Sequence, residues 1–351
     1  MVTTEHFGIT EDGRDFSLFT LEAAGITAKV SDFGAVLTSI LAPDAAGTLA
    51  DCVLGFDDGA DYLTNKDFFG ALAGPIANRT AGAELELGGR TYHLVKNEGE
   101  NNNHTDFDRG LHKQLWDVVE VGESSVTFGI DLADGVYGLP GNRRFTVTYE
   151  VTPDARVRVH IHATTDAETC INATSHTYFN IAGAGKGVHD VLDQELQVWG
   201  SHFIPVGPGS IPTGEIRPVA GTPFDFTAGK PIGRDLAADD EQLKLCGGYD
   251  HAFCVDGYDG KGTVAHALRI CDPASGRVMD VWTTQPGVQT YTGNYLGGLT
   301  GHDGAVYEPR DGIAFEAQFY ADSPHHAGFP QDIFGPEQDF DSVIEFAFSV
   351  Q

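Results

Sequence analysis

Runs of alternating apolar and polar residues, broken at short intervals by glycine or proline, dominate this chain. Val126, Phe128, Ile130 and Leu132 fall on one side of such a run, with Thr127, Gly129 and Asp131 between them. Phe145, Val147, Tyr149 and Val151 repeat the pattern, and so do Val157, Val159 and Ile161. A period of two puts every second side chain on the same side of an extended backbone, so each run predicts a strand with one face in a core. The 44 glycines and 16 prolines serve as turn punctuation between these runs. Residues 83–87 and 90–94 read as the arms of a hairpin closed by Gly88-Gly89. Only Leu236–Leu245 has the composition of a short helix. The expectation is an all-β chain, a large antiparallel structure with few short helices.

Neither a short internal repeat nor a linker-like shift in composition divides the 351 residues. The segments with chemical potential are spread from residue 78 to residue 316. A site gathered from strands so far apart implies one continuous domain over residues 1–351, although length alone would suggest two. An apolar fraction of 41% is enough for a large core. The 51 acidic and 21 basic residues leave a formal net charge of −30. Such a surface repels phosphate backbones and anionic lipid, which argues against nucleic acid and membrane partners. The five cysteines, Cys52, Cys170, Cys246, Cys254 and Cys271, are odd in number and contain no CxxC pair. They predict free thiols and a reducing, cytoplasmic setting. The first residues lack the basic and apolar regions of a signal peptide, and no apolar run approaches the ~20 residues of a membrane helix.

Residues 171–181, INATSHTYFNI, place His176 among hydroxyl and amide side chains. An imidazole titrates near neutrality, so one held by such neighbours is a candidate proton donor. By residue type alone, a half-buried histidine satisfied by Thr174 or Thr177 is the commoner case. Far downstream, Glu316 lies in the alternating stretch Gly312–Gln318, where Phe315, Ala317 and Phe319 form the core-facing row. Ala314 and Gln318 share the Glu316 face, which is therefore not strongly charged. Asp250 follows paired glycines in Gly247–Phe253 and could simply cap a turn. Arg79, in Gly74–Gly82, could pair with any of the many surface acids.

Taken in order, these segments resemble the aldose 1-epimerase (galactose mutarotase) family. The likeness extends through residues 211–216, 221–226 and 281–294 and covers the chain from about residue 15 to the C-terminus. It implies a β-sandwich of the supersandwich type with a sugar groove on one concave sheet. It also implies a reaction in which a base takes the proton of the anomeric hydroxyl while an acid protonates the ring oxygen. By the match, Glu316 is the base and His176 the acid, meeting across one pyranose. Asp250 would accept sugar hydroxyls, Arg79 would offer its planar fork to paired hydroxyls, and Asn78 stands beside it in the same loop. Counting back from Trp116 puts His104 at the substrate histidine, although Thr105 and Asp106 replace the glycines usual there. Pro75 stands where relatives often carry arginine. His251 reads as structural, and His112 has no assignment.

The resemblance implies small free sugars as partners, aldohexoses such as galactose and glucose, with a reducing disaccharide or a sugar-binding role without turnover as alternatives. Proton transfers of this kind need no cofactor. A metal is not expected either, because neither His160/His162 nor His325/His326 is completed to a tetrahedral set by cysteine or carboxylate spacing. The expected pH profile is a bell, with Glu316 on the acidic limb and His176 on the basic limb.

Overall fold

A computed structural model describes residues 1–351. Its largest sheet has nine antiparallel strands. The alternating runs at Ser125–Leu132, Arg143–Val151 and Arg156–Thr165 lie side by side in it. Phe340–Val350, Arg277–Thr283 and Ala265–Cys271 continue it. Register follows the apolar pattern: Val147 faces Ile161, and Val159 faces Ile344, all of them fully buried. A second sheet of six strands includes Tyr178–Phe179, Ile313–Gln318, Gly287–Tyr291 and Asp250–Cys254 in that spatial order. Residues 2–51 add a five-stranded antiparallel meander.

The two larger sheets pack face to face. Phe179, Val288, Phe315 and Ala317 of the six-stranded sheet join Phe145, Tyr149, Val159 and Phe346 of the nine-stranded sheet in one cluster of 57 buried residues. The Phe179 and Phe346 rings stand 4.7 Å apart. Burying each such side chain contributes roughly 1.5–3 kcal/mol. This burial also sets direction. Because Phe315 and Ala317 are held in the core, Glu316 must point to the opposite face, and a slip of one residue would exchange them.

The hairpin forms as expected, with Leu85 opposite Tyr92 and both turn glycines at positive φ. The helix expected over Leu236–Leu245 is shorter and later, at Glu241–Cys246. Asp240 caps it, accepting from the amides of Gln242 and Leu243, and Gly247 at φ 67° ends it. Short acidic side chains compete for backbone donors and so sit at a cap instead of inside the helix. A further short helix, Gly59–Leu63, had no counterpart in the sequence reading. All five cysteines are free thiols. No helix is long and apolar enough to cross a membrane.

Candidate active site

The face of the six-stranded sheet turned away from the core carries the polar residues. Glu316 lies directly across from Gln289, and Tyr291 across from both Ala314 and Asp250. Gln289 donates through Nε2 to Asp250 Oδ1 at 2.6 Å, which ties the central strand to its neighbour. Glu316 and Asp250 thus stand two strands apart, roughly 9–10 Å in the hydrogen-bonding direction. That gap suits one sugar ring with a hydrogen bond at either end.

His176 comes from a separate strand, Thr174–His176, paired with Ala71–Ala73. Its motif locks this segment to the Glu316 strand. Thr174 Oγ1 donates to the Ala317 carbonyl at 2.8 Å, and Asn172 exchanges two hydrogen bonds with the Phe319 backbone. Ser175 and Thr177 bond to each other at 2.8 Å. The hydroxyls that might have satisfied the imidazole are therefore engaged elsewhere. His176 Nε2 faces Glu316 Oε1 at 3.6 Å, and His176 Nδ1 has no partner. His176 is 5% exposed and Glu316 2%. The pair stands side by side in the wall of one pocket.

Arg79, Asn78 and His104 form one wall. Arg79 lies on a short strand paired with Asn103. Its Nε and Nη2 donate to the two Glu98 carboxylate oxygens at 2.7 and 3.0 Å, and Nη1 lies 3.7 Å from Asp250 Oδ2. The fork expected to grip sugar hydroxyls is thus occupied by Glu98, leaving the Nη1 edge for the pocket. Asn78 Oδ1 accepts from the Arg79 amide at 2.8 Å. His104 Nδ1 accepts from the Asn78 amide at 3.1 Å, so Nε2 carries the proton.

His104 and Thr105 both sit at positive φ, 48° and 67°. A residue with a Cβ costs roughly 1–2 kcal/mol in that region. Side-chain bonds offset the cost: Thr105 Oγ1 accepts from the Ile76 amide and donates to its carbonyl, both at 2.9 Å. Asp106 Oδ1 accepts from the amides of Asp108 and Arg109. The replacement of glycine by Thr105 and Asp106 thus leaves His104 in the pocket wall.

His104, His176 and Glu316 bring three potential ligand atoms within 4.8 Å of one another, a spacing that could suit a metal. The His104 tautomer argues otherwise. With Nδ1 accepting, Nε2 is an N–H donor and has no lone pair for an ion. His160 and His162 lie together on the solvent-facing side of the Arg156–Thr165 strand and face the exposed carboxylates of Asp341 and Asp339.

The cavity lined by these residues measures about 190 Å³. Phe68, Phe107, Tyr178, Tyr291 and Tyr295 supply its apolar surface. A larger groove of about 790 Å³, lined by Leu94, Ile130, Val136 and Tyr137, contains no buried acid–base pair.

The sequence model of the aldose 1-epimerase family matches residues 17–347. The aldose 1-epimerase of Escherichia coli K12 is 35% identical over 344 residues, covering 97% of each chain. The human galactose mutarotase is 36% identical over 351 residues, covering 99% of each. The chain belongs to the aldose 1-epimerase family. It is an isomerase of the mutarotase type. A galactose 1-epimerase structure from Lactobacillus acidophilus superposes with a TM-score of 0.86 at 27% identity, covering 100% of this chain and 99% of that one. An aldose epimerase homologue from C. elegans gives 0.85 at 29%, covering 95% and 99%.

Burial governs the charges of this epimerase site. It pushes Glu316 well above the usual carboxylate range, with Asp250 adding to the rise and Arg79 opposing it. It pushes His176 down to about 4. The order of the two groups is therefore the reverse of the one expected, because burial favours the neutral form of each. Over the intervening pH range the pair holds one proton, and its titration belongs to both groups together. Burial raises Asp250 too, against the nearby Arg79 cation.

Two contributors were missed in the sequence, Glu98 and Gln289. Gln289 could have been found from its alternation with Tyr291 against the apolar Val288. Glu98 carries no such mark, since one acid among 51 is indistinguishable until Arg79 is seen against it. Replacing Glu98 by glutamine breaks a bidentate charge-assisted pair and is expected to raise KM about tenfold, with a smaller change in kcat. Steady-state polarimetry separates the two constants. His251 is structural, with Nδ1 accepting from the Asp250 amide and Nε2 facing Gln242. His112 packs against the Phe68 ring at 4.2 Å.

Proposed function

We propose that this isomerase interconverts the α and β anomers of free aldohexoses, galactose and glucose foremost, by opening and reclosing the hemiacetal. Glu316, as the carboxylate of the minor tautomer in which the pair's single proton sits on His176, takes the proton of the anomeric hydroxyl. His176, as imidazolium, gives its proton to the ring oxygen. The C1–O5 bond breaks, the aldehyde turns about the C1–C2 bond, and the reverse transfers close the ring on its other face. Proton count is unchanged over the cycle, so no cofactor is needed.

The observation that carries this reading is the 3.6 Å approach of the two buried groups. The anomeric hydroxyl and the ring oxygen are bonded to the same carbon. Acid and base must therefore sit next to each other, and a pair on opposite sides of the ring would serve worse. Asp250, the Nη1 edge of Arg79, the Nε2 proton of His104 and the side-chain Nδ2 of Asn78 would hold the remaining hydroxyls, Asp250 accepting and the others donating.

Polarimetry on freshly dissolved α-galactose and α-glucose tests the proposal. A saturable acceleration of the approach to equilibrium is expected. Saturable sugar binding with no acceleration would instead identify a sugar-binding protein without turnover.

A further inference from the structure

The adjacent histidines His325 and His326, which neither the proton transfers nor the sugar contacts employ, turn their rings toward one buried carboxylate. His325 Nδ1 donates to Asp322 Oδ1 at 2.6 Å, and His326 Nε2 faces Asp322 Oδ2 at 3.4 Å. Asp322 is 5% exposed and sits at φ 58°, in the left-handed region. Aspartate is tolerated there because its short side chain can bond to groups nearby. Its other contacts reach a distant part of the chain. The Asp322 amide donates to the Arg79 carbonyl at 3.1 Å, and Oδ1 accepts from the Ala81 amide at 2.9 Å. One residue thus grips the backbone on both sides of Thr80.

The strand so gripped is the one that carries the pocket arginine. Arg79–Thr80 is two residues long and pairs with Asn102–Asn103. So short a strand has little hydrogen bonding of its own. Asp322 supplies the donor and the acceptor that a second neighbouring strand would otherwise supply. It lies six residues beyond Glu316 on the same run of chain. Between the two, the Phe319 backbone exchanges hydrogen bonds with Asn172, in the segment that leads to His176. Base, acid and arginine are therefore all tied to residues 316–322. Position matters at such a site, since misplacement by about 1 Å can cost up to ~10²-fold in rate.

We infer that Asp322 is a positioning residue, which holds the Arg79 backbone so that the Nη1 edge of the guanidinium meets the sugar. His325 and His326 fix its carboxylate for that task. The inference rests on the sugar contact proposed above for Arg79.

Asp322→Gly removes the carboxylate and fits φ 58° without strain. Polarimetry should find its KM for galactose raised about tenfold, with a smaller change in kcat, because acid and base keep their places. Asp322→Asn retains an oxygen for the Ala81 amide and tolerates the same backbone, so its KM should stay within about threefold of wild type. In an Arg79→Ala background, Asp322→Gly should raise KM by no more than about twofold, since effects that pass through a shared partner are not additive. A rise of about tenfold in that background would mean that the effect bypasses Arg79, and it overturns the inference. Wild-type KM in Asp322→Gly does the same. Should Asp322→Gly fail to fold, Asp322→Asn decides, and a rise of about tenfold there is the overturning result. If wild type does not accelerate mutarotation, the acid–base reading fails on its own, and calorimetric galactose affinity carries the same cycle. Equal affinity of wild type and Asp322→Gly, or no binding by wild type, then rejects the positioning role.

Discussion

Glu316→Gln is expected to lower kcat for mutarotation about a thousandfold, within the 10²–10⁴ range that a positioned general base supplies. The substitution is isosteric with the protonated acid, so the strand and its neighbours keep their packing. The amide cannot take a proton from the anomeric hydroxyl. KM should change far less, because Asp250 and Arg79 remain in place. A stability effect of opposite sign should accompany the loss. A carboxyl whose folded pKa lies above its unfolded value loses stabilising power as pH rises through the folded value. Glu316 is such a group. Glutamine removes the cost of ionising it in a buried site, so the variant should unfold at a higher temperature than wild type at alkaline pH. Polarimetry and a thermal melt read the two effects. Wild-type kcat in Glu316→Gln would remove the base assignment.

His176→Asn is expected to lower kcat by ~10²–10³ and to alter the pH profile in a particular way. In the wild type, kcat/KM should fall on the acidic side near pH 4, where the second proton joins the pair and no base is left. It should fall again on the alkaline side, where Glu316 loses the shared proton and no acid remains. Removing the imidazole should abolish the limb near 4. The double variant Glu316→Gln/His176→Asn should be little slower than either single one, since two groups acting as a unit are not additive. Fully multiplicative losses would mean that the two act in separate steps. A wild-type profile that shows no fall on the acidic side near pH 4 would contradict the shared proton.

Much of this molecule was legible before any coordinates. The alternation at Val126–Leu132, Phe145–Val151 and Val157–Ile161 became neighbouring strands in the expected orientation, because a period of two and a buried face leave one register. The segments around His176 and Glu316 were identifiable because their residue types and order are distinctive. The helix begins later than expected over Leu236–Leu245 because Asp240 acts as its cap.

The sequence by itself determined the strand-rich architecture, the family and the residue types that can move protons. Tertiary structure alone decided how those residues meet. It set His176 beside Glu316, gave the Arg79 fork to Glu98, made His104 a donor through the Asn78 amide and inverted the protonation order of the central pair. The physical reason is that alternation is a local property of the backbone, readable residue by residue. Solvation and ion pairing depend on what the rest of the chain brings within a few ångströms, across separations such as the 140 residues from His176 to Glu316.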